Sequence, residues 1–236
     1  MAVYERPEVI AAPGSREDAL VVDFLRGVYG WMSAGLAITA LTAWAVASSP
    51  SIATAIFRNS ILFWGIVIAQ FGIVITLSAR VNKLAASTAS ALFIAYSALT
   101  GVTLSFVLLV YTGESIASTF IVAGSMFGGL ALYGTTTRRN LSGVGQFMFM
   151  GLIGLVVASL IGMFWQNGGL QFMISLIGIV VFAGLTAWDA QRLKAMALAT
   201  NTGGASSYAI VGALALYLDF INLFLFLLRF LGGRRR

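Results

Sequence analysis

The chain has 236 residues, of which 59% are apolar and only 9% charged, with a mean hydropathy of +0.95. A soluble domain carries about 25% charged residues, so this composition excludes one and defines a polytopic membrane protein. The formal charge of +6 comes without histidine or cysteine, which excludes disulfides, thiol chemistry and histidine-based catalysis and leaves any pH sensing to carboxylates.

Residues 1–25 carry Glu5, Glu8, Glu17, Asp18 and Asp23. They are expected to form a solvated tail, being too acidic for a transit peptide and lacking the apolar core of a signal peptide. Seven apolar segments follow, at about 26–48, 60–80, 89–111, 115–137, 143–165, 169–190 and 207–231. Each is close to the roughly 20 residues that cross a bilayer. The expected fold class is an all-α integral membrane bundle of seven transmembrane helices. Its organisation is one domain over 26–232, preceded by the tail and followed by a short basic tail at 233–236.

Loop charges orient the bundle. Arg6, Arg16, Arg26, Arg80, Lys83, Arg138, Arg139, Arg192 and Lys194 fall on one side, whereas the first, third and fifth loops carry only Arg58. The positive-inside rule then puts the N-terminus in the cytoplasm. The sequence pI of about 10.1 reflects this topology rather than a nucleic-acid surface. Arg234, Arg235 and Arg236 run against the rule if the last segment crosses fully. Either that helix crosses because the bundle holds it, or it re-enters and turns back.

Within the segments, Gly124 and Gly128 form a G-x-x-x-G expected to pack tightly inside the bundle. Trp31, Trp44, Trp64, Trp165 and Trp188 fall near segment ends, as an interfacial belt requires. The sixth segment ends in GLTAWDAQRLK, with Asp189 near the basic interface and Leu185, Phe182, Gly178 and Ser175 on its face. Arg80, closing the second segment on the same side, is the expected counter-ion. In the seventh, Tyr208, Gly212, Ala215, Asp219, Asn222, Phe226 and Arg229 recur at steps of four and three on one helix face. A carboxylate inside an apolar span costs about 2.5–3.5 kcal/mol on insertion scales, and such groups mark ion or proton pathways. The stripe carrying Asp219 is therefore expected to face protein or a cavity.

The runs ALALYLDFINLFLFLLRFLG, WDAQRLK and ALFIAYSALTGVTLS resemble the Bax inhibitor-1 family, also called the transmembrane Bax-inhibitor-motif family, over nearly the whole chain from Arg26 to Gly232. The resemblance implies seven helices around a central C-terminal one, acting as a pH-sensitive calcium leak. It implies that Asp189 and Asp219 form the hydrogen-bonded pair that senses pH and gates the pore. It also gives Arg80 as the arginine that pairs with the sixth-helix aspartate. Arg229 matches a family position that in some members meets an acid of the second helix, where this chain has Gln70.

Calcium prefers six to eight oxygen ligands. Asp189, Asp219 and the Asn222 amide, with water and backbone carbonyls, would make a sparse site, and a site that conducts must let its ion leave. Two carboxylates within hydrogen-bond reach would share a proton; low pH then favours either a closed, proton-bridged pair or a protonated, charge-relieved one. No cofactor is expected, calcium being the permeating ion, and the protein is not expected to be an enzyme. An intramembrane aspartyl protease would carry Gly-x-Gly-Asp where this chain has LYLD, and a rhodopsin needs a lysine in the last helix. The remaining alternative is a non-conducting modulator of a membrane-bound AAA protease, working through the N-terminal tail. Expected partners are calcium ions, protons and the lipid of a bacterial plasma membrane, with a membrane protease complex under the alternative.

Overall fold

A computed structural model describes residues 13–81, 83–165, 167–199, 205–233 and 235. Eight helices follow one another among them: α1 (Pro13–Ala47), α2 (Pro50–Arg58), α3 (Ser60–Ala79), α4 (Ala86–Val110), α5 (Gly113–Thr136), α6 (Ser142–Phe164), α7 (Gly168–Ala199) and α8 (Ala205–Leu231). All but α2 include a stretch long and apolar enough to cross a membrane, giving the seven expected spans.

Two boundaries differ from expectation, for reasons visible in the residues. The first helix begins at Pro13 rather than at 26, because the apolar spacing runs further back. Val21, Phe24, Leu25 and Val28 lie at helical intervals and pack on the core, while Asp18 and Asp23 stay exposed on the other face. The first twelve residues of the expected tail lie outside the described residues. The seventh helix runs on to Ala199, beyond the limit of 190, because Leu193 and Ala197 continue its buried face. Asp189 thus sits well inside a helix instead of at its end.

The short α2 was not expected. Pro50 occupies its first turn, where a missing N–H costs nothing. Ala53 and Ile56 form its buried side with Val46, against Phe57, Ile66 and Val102. The next residue beyond it, Asn59, caps α3, its side-chain oxygen accepting from the amides of Ile61 and Leu62, both at 3.1 Å. Thr112 caps α5 in the same way, through the Ser115 amide.

At the centre stands α8, packed on α7, α1, α5 and α4. It is one continuous helix of 27 residues, about 40 Å at 1.5 Å per residue, which rules out the re-entrant alternative. Its far end meets the α4–α5 turn, where the Thr112 amide donates to the Gly233 carbonyl and the Arg235 amide to that of Val110. The opposite end of the bundle gathers Arg26, Arg80, Lys83, Arg138, Arg139, Arg192 and Lys194 and is here called the basic end. Its loops are tied to neighbouring helices, the Lys194 ammonium donating to the Thr135 carbonyl and the Gln191 amide to that of Arg139, both at 2.8 Å.

Around α8 several polar side chains are satisfied locally. The fully buried Tyr217 shares a 2.6 Å hydrogen bond with Thr39, whose hydroxyl also lies 2.9 Å from the Ser97 carbonyl. Phe93 and Tyr96 close edge-on against its ring, both at 5.8 Å. Gly134 lets α5 press directly on the α7 backbone at Ala187. The G-x-x-x-G does not serve this purpose, since a Cβ at Gly124 or Gly128 would meet nothing within 4 Å. The face of α5 that packs is Thr119, Ala123, Phe127, Ala131 and Gly134, one step round the helix. Of the tryptophans, Trp44, Trp64 and Trp165 are exposed as a belt requires. Trp31 instead packs on Phe93, and Trp188 covers Gly145.

Candidate functional site

Asp219 lies near the middle of α8 and is 4% exposed. Asp189, half-buried on α7, faces it, and the two carboxyl groups are within hydrogen-bond reach of each other. Asp219 Oδ2 has no hydrogen-bond partner. Ser175, Gly178, Phe182 and Leu185, the residues that share the Asp189 face, are all buried.

The counter-ion differs from expectation. Arg80 is exposed at the C-cap of α3, and the cation whose charge acts on Asp189 is Arg192. Arg192 sits three residues further along α7, on the same face, and its guanidinium lies 5.6 Å from the Trp188 ring centroid. That spacing was legible in WDAQRLK. Arg80 is kept from the role because α3 packs on α4 and α2 and makes no comparable contact with α7.

The stripe on α8 lines two cavities in succession. The larger, of about 850 Å³, reaches toward the basic end and is walled by α3, α4, α6, α7 and α8; Tyr208, Ala215, Asp219 and Asn222 face it, with Asp189 and Arg192 across from them. The second, of about 660 Å³, lies toward the opposite end and holds Asn222, Phe226 and Arg229, with Asn167 and Gln171. Asn222 lines both. Its amide nitrogen donates to the Leu218 carbonyl at 2.8 Å.

Between the cavities lies an apolar partition. Phe182, from the larger, and Phe226, from the smaller, stack with centroids 5.8 Å apart and planes at 24°. Phe226 is seated on Gly178, where a Cβ would come within 2.6 Å of its ring. Both phenylalanines stood on the predicted stripes, but only the packing of α7 on α8 brings them together.

Arg229 lines the smaller cavity, 6.0 Å from the Phe226 ring centroid. It donates to the Gln171 side chain of α7 at 3.4 Å, a contact that sequence spacing does not reveal. Gln70 is engaged elsewhere, its amide nitrogen reaching the hydroxyls of Thr103 and Thr100 on α4 at 3.3 and 3.5 Å. Tyr96 faces the larger cavity, whereas these two threonines serve as the anchor for α3.

Fold and site together define a class: a seven-span helical membrane protein whose central helix α8 and its neighbour α7 bring two facing carboxyl groups to the wall of a cavity. Residues 21–236 match the family described as inhibitor of apoptosis-promoting Bax1. The chain is 50% identical over 215 residues to the inner membrane protein YbhL of Escherichia coli strain K12, covering 90% of this chain and 92% of that one. It is 43% identical over 215 residues to an uncharacterised protein of Rickettsia prowazekii, covering 90% of each. Identity to an uncharacterised membrane protein of Streptococcus pyogenes is 33% over 222 residues, or 92% and 96% of the two chains. The chain belongs to the Bax inhibitor-1 family.

Proposed function

We propose that this protein is a pH-sensitive calcium leak of the bacterial inner membrane, a non-catalytic conduit gated by the Asp189–Asp219 pair. The observation that carries the reading is the single polar stripe of α8, which leads from one cavity to the other through Asp219 and Asn222. A path of this kind has no other evident use for a carboxyl group placed in an apolar span. The positive-inside rule would put the basic end, and the N-terminus with it, in the cytoplasm.

Two facing carboxyl groups cannot both ionise cheaply, so the pair titrates as a unit and holds one proton over part of the pH range. Loss of that proton leaves two negative charges in a cavity, which favours a divalent cation and spreads the helices that carry them. Among the described residues no three of Asp, Glu, His or Cys come together. Calcium at the pair would draw its remaining oxygens from water, backbone carbonyls and the Asn222 amide, a weak site suited to passage. The stacked Phe182 and Phe226 would hold the path closed by excluding water, as apolar constrictions do. Movement of α3, held mainly by α4, offers a route to opening.

The test is calcium influx into dye-loaded liposomes from pH 5 to 8, for the wild type, Asp219→Asn and Asp189→Asn, with potassium and proton flux as controls. A calcium flux whose pH dependence either substitution flattens or displaces supports the leak. Folded protein with no flux above empty liposomes at any pH refutes it and shifts the weight to modulation of a membrane protease. Under that alternative, deleting residues 2–12, which precede α1, abolishes the effect on the protease, whereas a leak keeps its flux.

A further inference from the structure

The larger cavity does not reach only toward the basic end. Its wall includes Phe71 and Val74 of α3 and Phe149 and Val156 of α6, and Phe71, Phe149 and Val156 are 66%, 53% and 52% exposed. These positions lie well within their spans, where exposure is to lipid. The two helices do not pack against each other, α3 resting on α4 and α2 and α6 on α7. Between them is a slot at bilayer depth, mainly apolar along its sides, with Asp219 at its floor.

The floor of the slot sets the chemistry of an occupant. Asp219 is almost wholly buried, and its Oδ2 has no hydrogen-bond partner. An unpartnered carboxyl oxygen in a dry site seeks a donor, and a cationic one most of all. At the basic end the cavity is lined by the Arg192 guanidinium, on the Asp189 side. From the bilayer the walls that a cation meets are mainly apolar, with Gln70 and Ser78 of α3 as the polar exceptions.

We infer that the α3–α6 slot is a lateral binding site for a cationic amphiphile, a long-chain primary amine whose ammonium group donates to Asp219 while its alkyl chain lies between Phe71 and Val156. Amines of this class enter the bilayer readily, and an occupied slot obstructs the larger cavity. Three features of the site select them: the negative floor, the apolar walls and an opening onto lipid. An alkyl sulfate of equal length is repelled by the floor, and an alcohol offers it no charge. Binding itself does not depend on the leak reading, so the two proposals fail separately.

The test is direct binding of a spin-labelled alkyl amine to the protein in nanodiscs, with empty nanodiscs as reference and alkyl alcohol and alkyl sulfate of equal chain length as competitors. An immobilised population is expected, displaced by the unlabelled amine at concentrations where the alcohol and sulfate do little. Asp219→Asn is expected to weaken binding about tenfold or more, the usual worth of a hydrogen bond to a charged group. Val156→Trp narrows the slot from the lipid side without touching the carboxyl pair and should also reduce occupancy, which covers the case of a misfolded Asp219 variant. Equal displacement by amine and alcohol, or full binding by a folded Asp219→Asn, overturns headgroup recognition. Wild-type binding by Val156→Trp overturns the lateral route.

Discussion

Helices α3 and α8 are equally hydropathic, yet 6% of the most apolar window of the first is buried inside the protein and 67% of that of the second. In water the more apolar helix goes to the core. In a bilayer, lipid tails are as apolar as leucine, so hydrophobicity alone places nothing, and small and polar side chains decide which helix is enclosed. Helix α8 carries Gly212, Asp219 and Asn222 on one stripe, and the bundle closes around them. Helix α3 carries Gln70 as its one polar anchor toward α4 and otherwise shows Ile61, Ile68, Phe71 and Ile75 to lipid. One is therefore the enclosed axis and the other a peripheral element facing lipid.

This contrast is open to direct attack. The largest effect is expected from truncating the axis. Leu223→Ala removes a fully buried side chain of α8 and should lower the unfolding free energy by about 2–3 kcal/mol, the lower part of the range for buried leucines, because packing is lost while lipid transfer is neutral. Ile68→Ala on α3 should cost less than about 0.5 kcal/mol. Unfolding in mixed micelles measures both, and equal losses would end the distinction between the helices.

Next comes the partition on the axis. Phe226→Ala opens the stack against Phe182 and should raise calcium flux at neutral pH about tenfold, as expected when an apolar constriction wets. The liposome assay reads this, and an unchanged flux would show that the closed point lies elsewhere. The smallest effect belongs to the peripheral helix. Gln70→Leu breaks two long hydrogen bonds to α4 and should destabilise the protein by about 0.6 kcal/mol, with faster amide exchange in α3 and none added in α8. Faster exchange in both would mean that α3 is integral to the core.

Much of this arrangement is written in the residues. Segment length and apolarity give seven spans because crossing a bilayer fixes both, and the α8 stripe is legible because a helix repeats its face at steps of three and four. Asp189 and Asp219 stand out as the only acids inside the seven segments delimited from the sequence. What depends on how helices meet is not legible in the same way. Arg80 and Arg192 are both basic residues near Asp189 in the topology, and only the detachment of α3 from α7 separates them. The Gly124–Gly128 face reads as well as Ala123–Phe127–Ala131, yet only the second meets a neighbour. Helix α2 is not legible as a span because nine residues cannot cross a bilayer, although Ala53 and Ile56 mark its packed side. The Gln171–Arg229 contact joins residues far apart in sequence with no shared pattern.

The reading rests most heavily on one path that runs past Asn222, the residue shared by the two cavities. The absence of native cysteine allows a clean test. Asn222→Cys, reconstituted in liposomes, is treated with a small charged thiol reagent while calcium influx is followed, with Ile177→Cys on the exposed side of α7 as control. Flux that falls as Asn222→Cys is labelled, and holds steady in the control, is the predicted result. Full labelling of Asn222→Cys with undiminished flux would contradict a path through the α8 stripe.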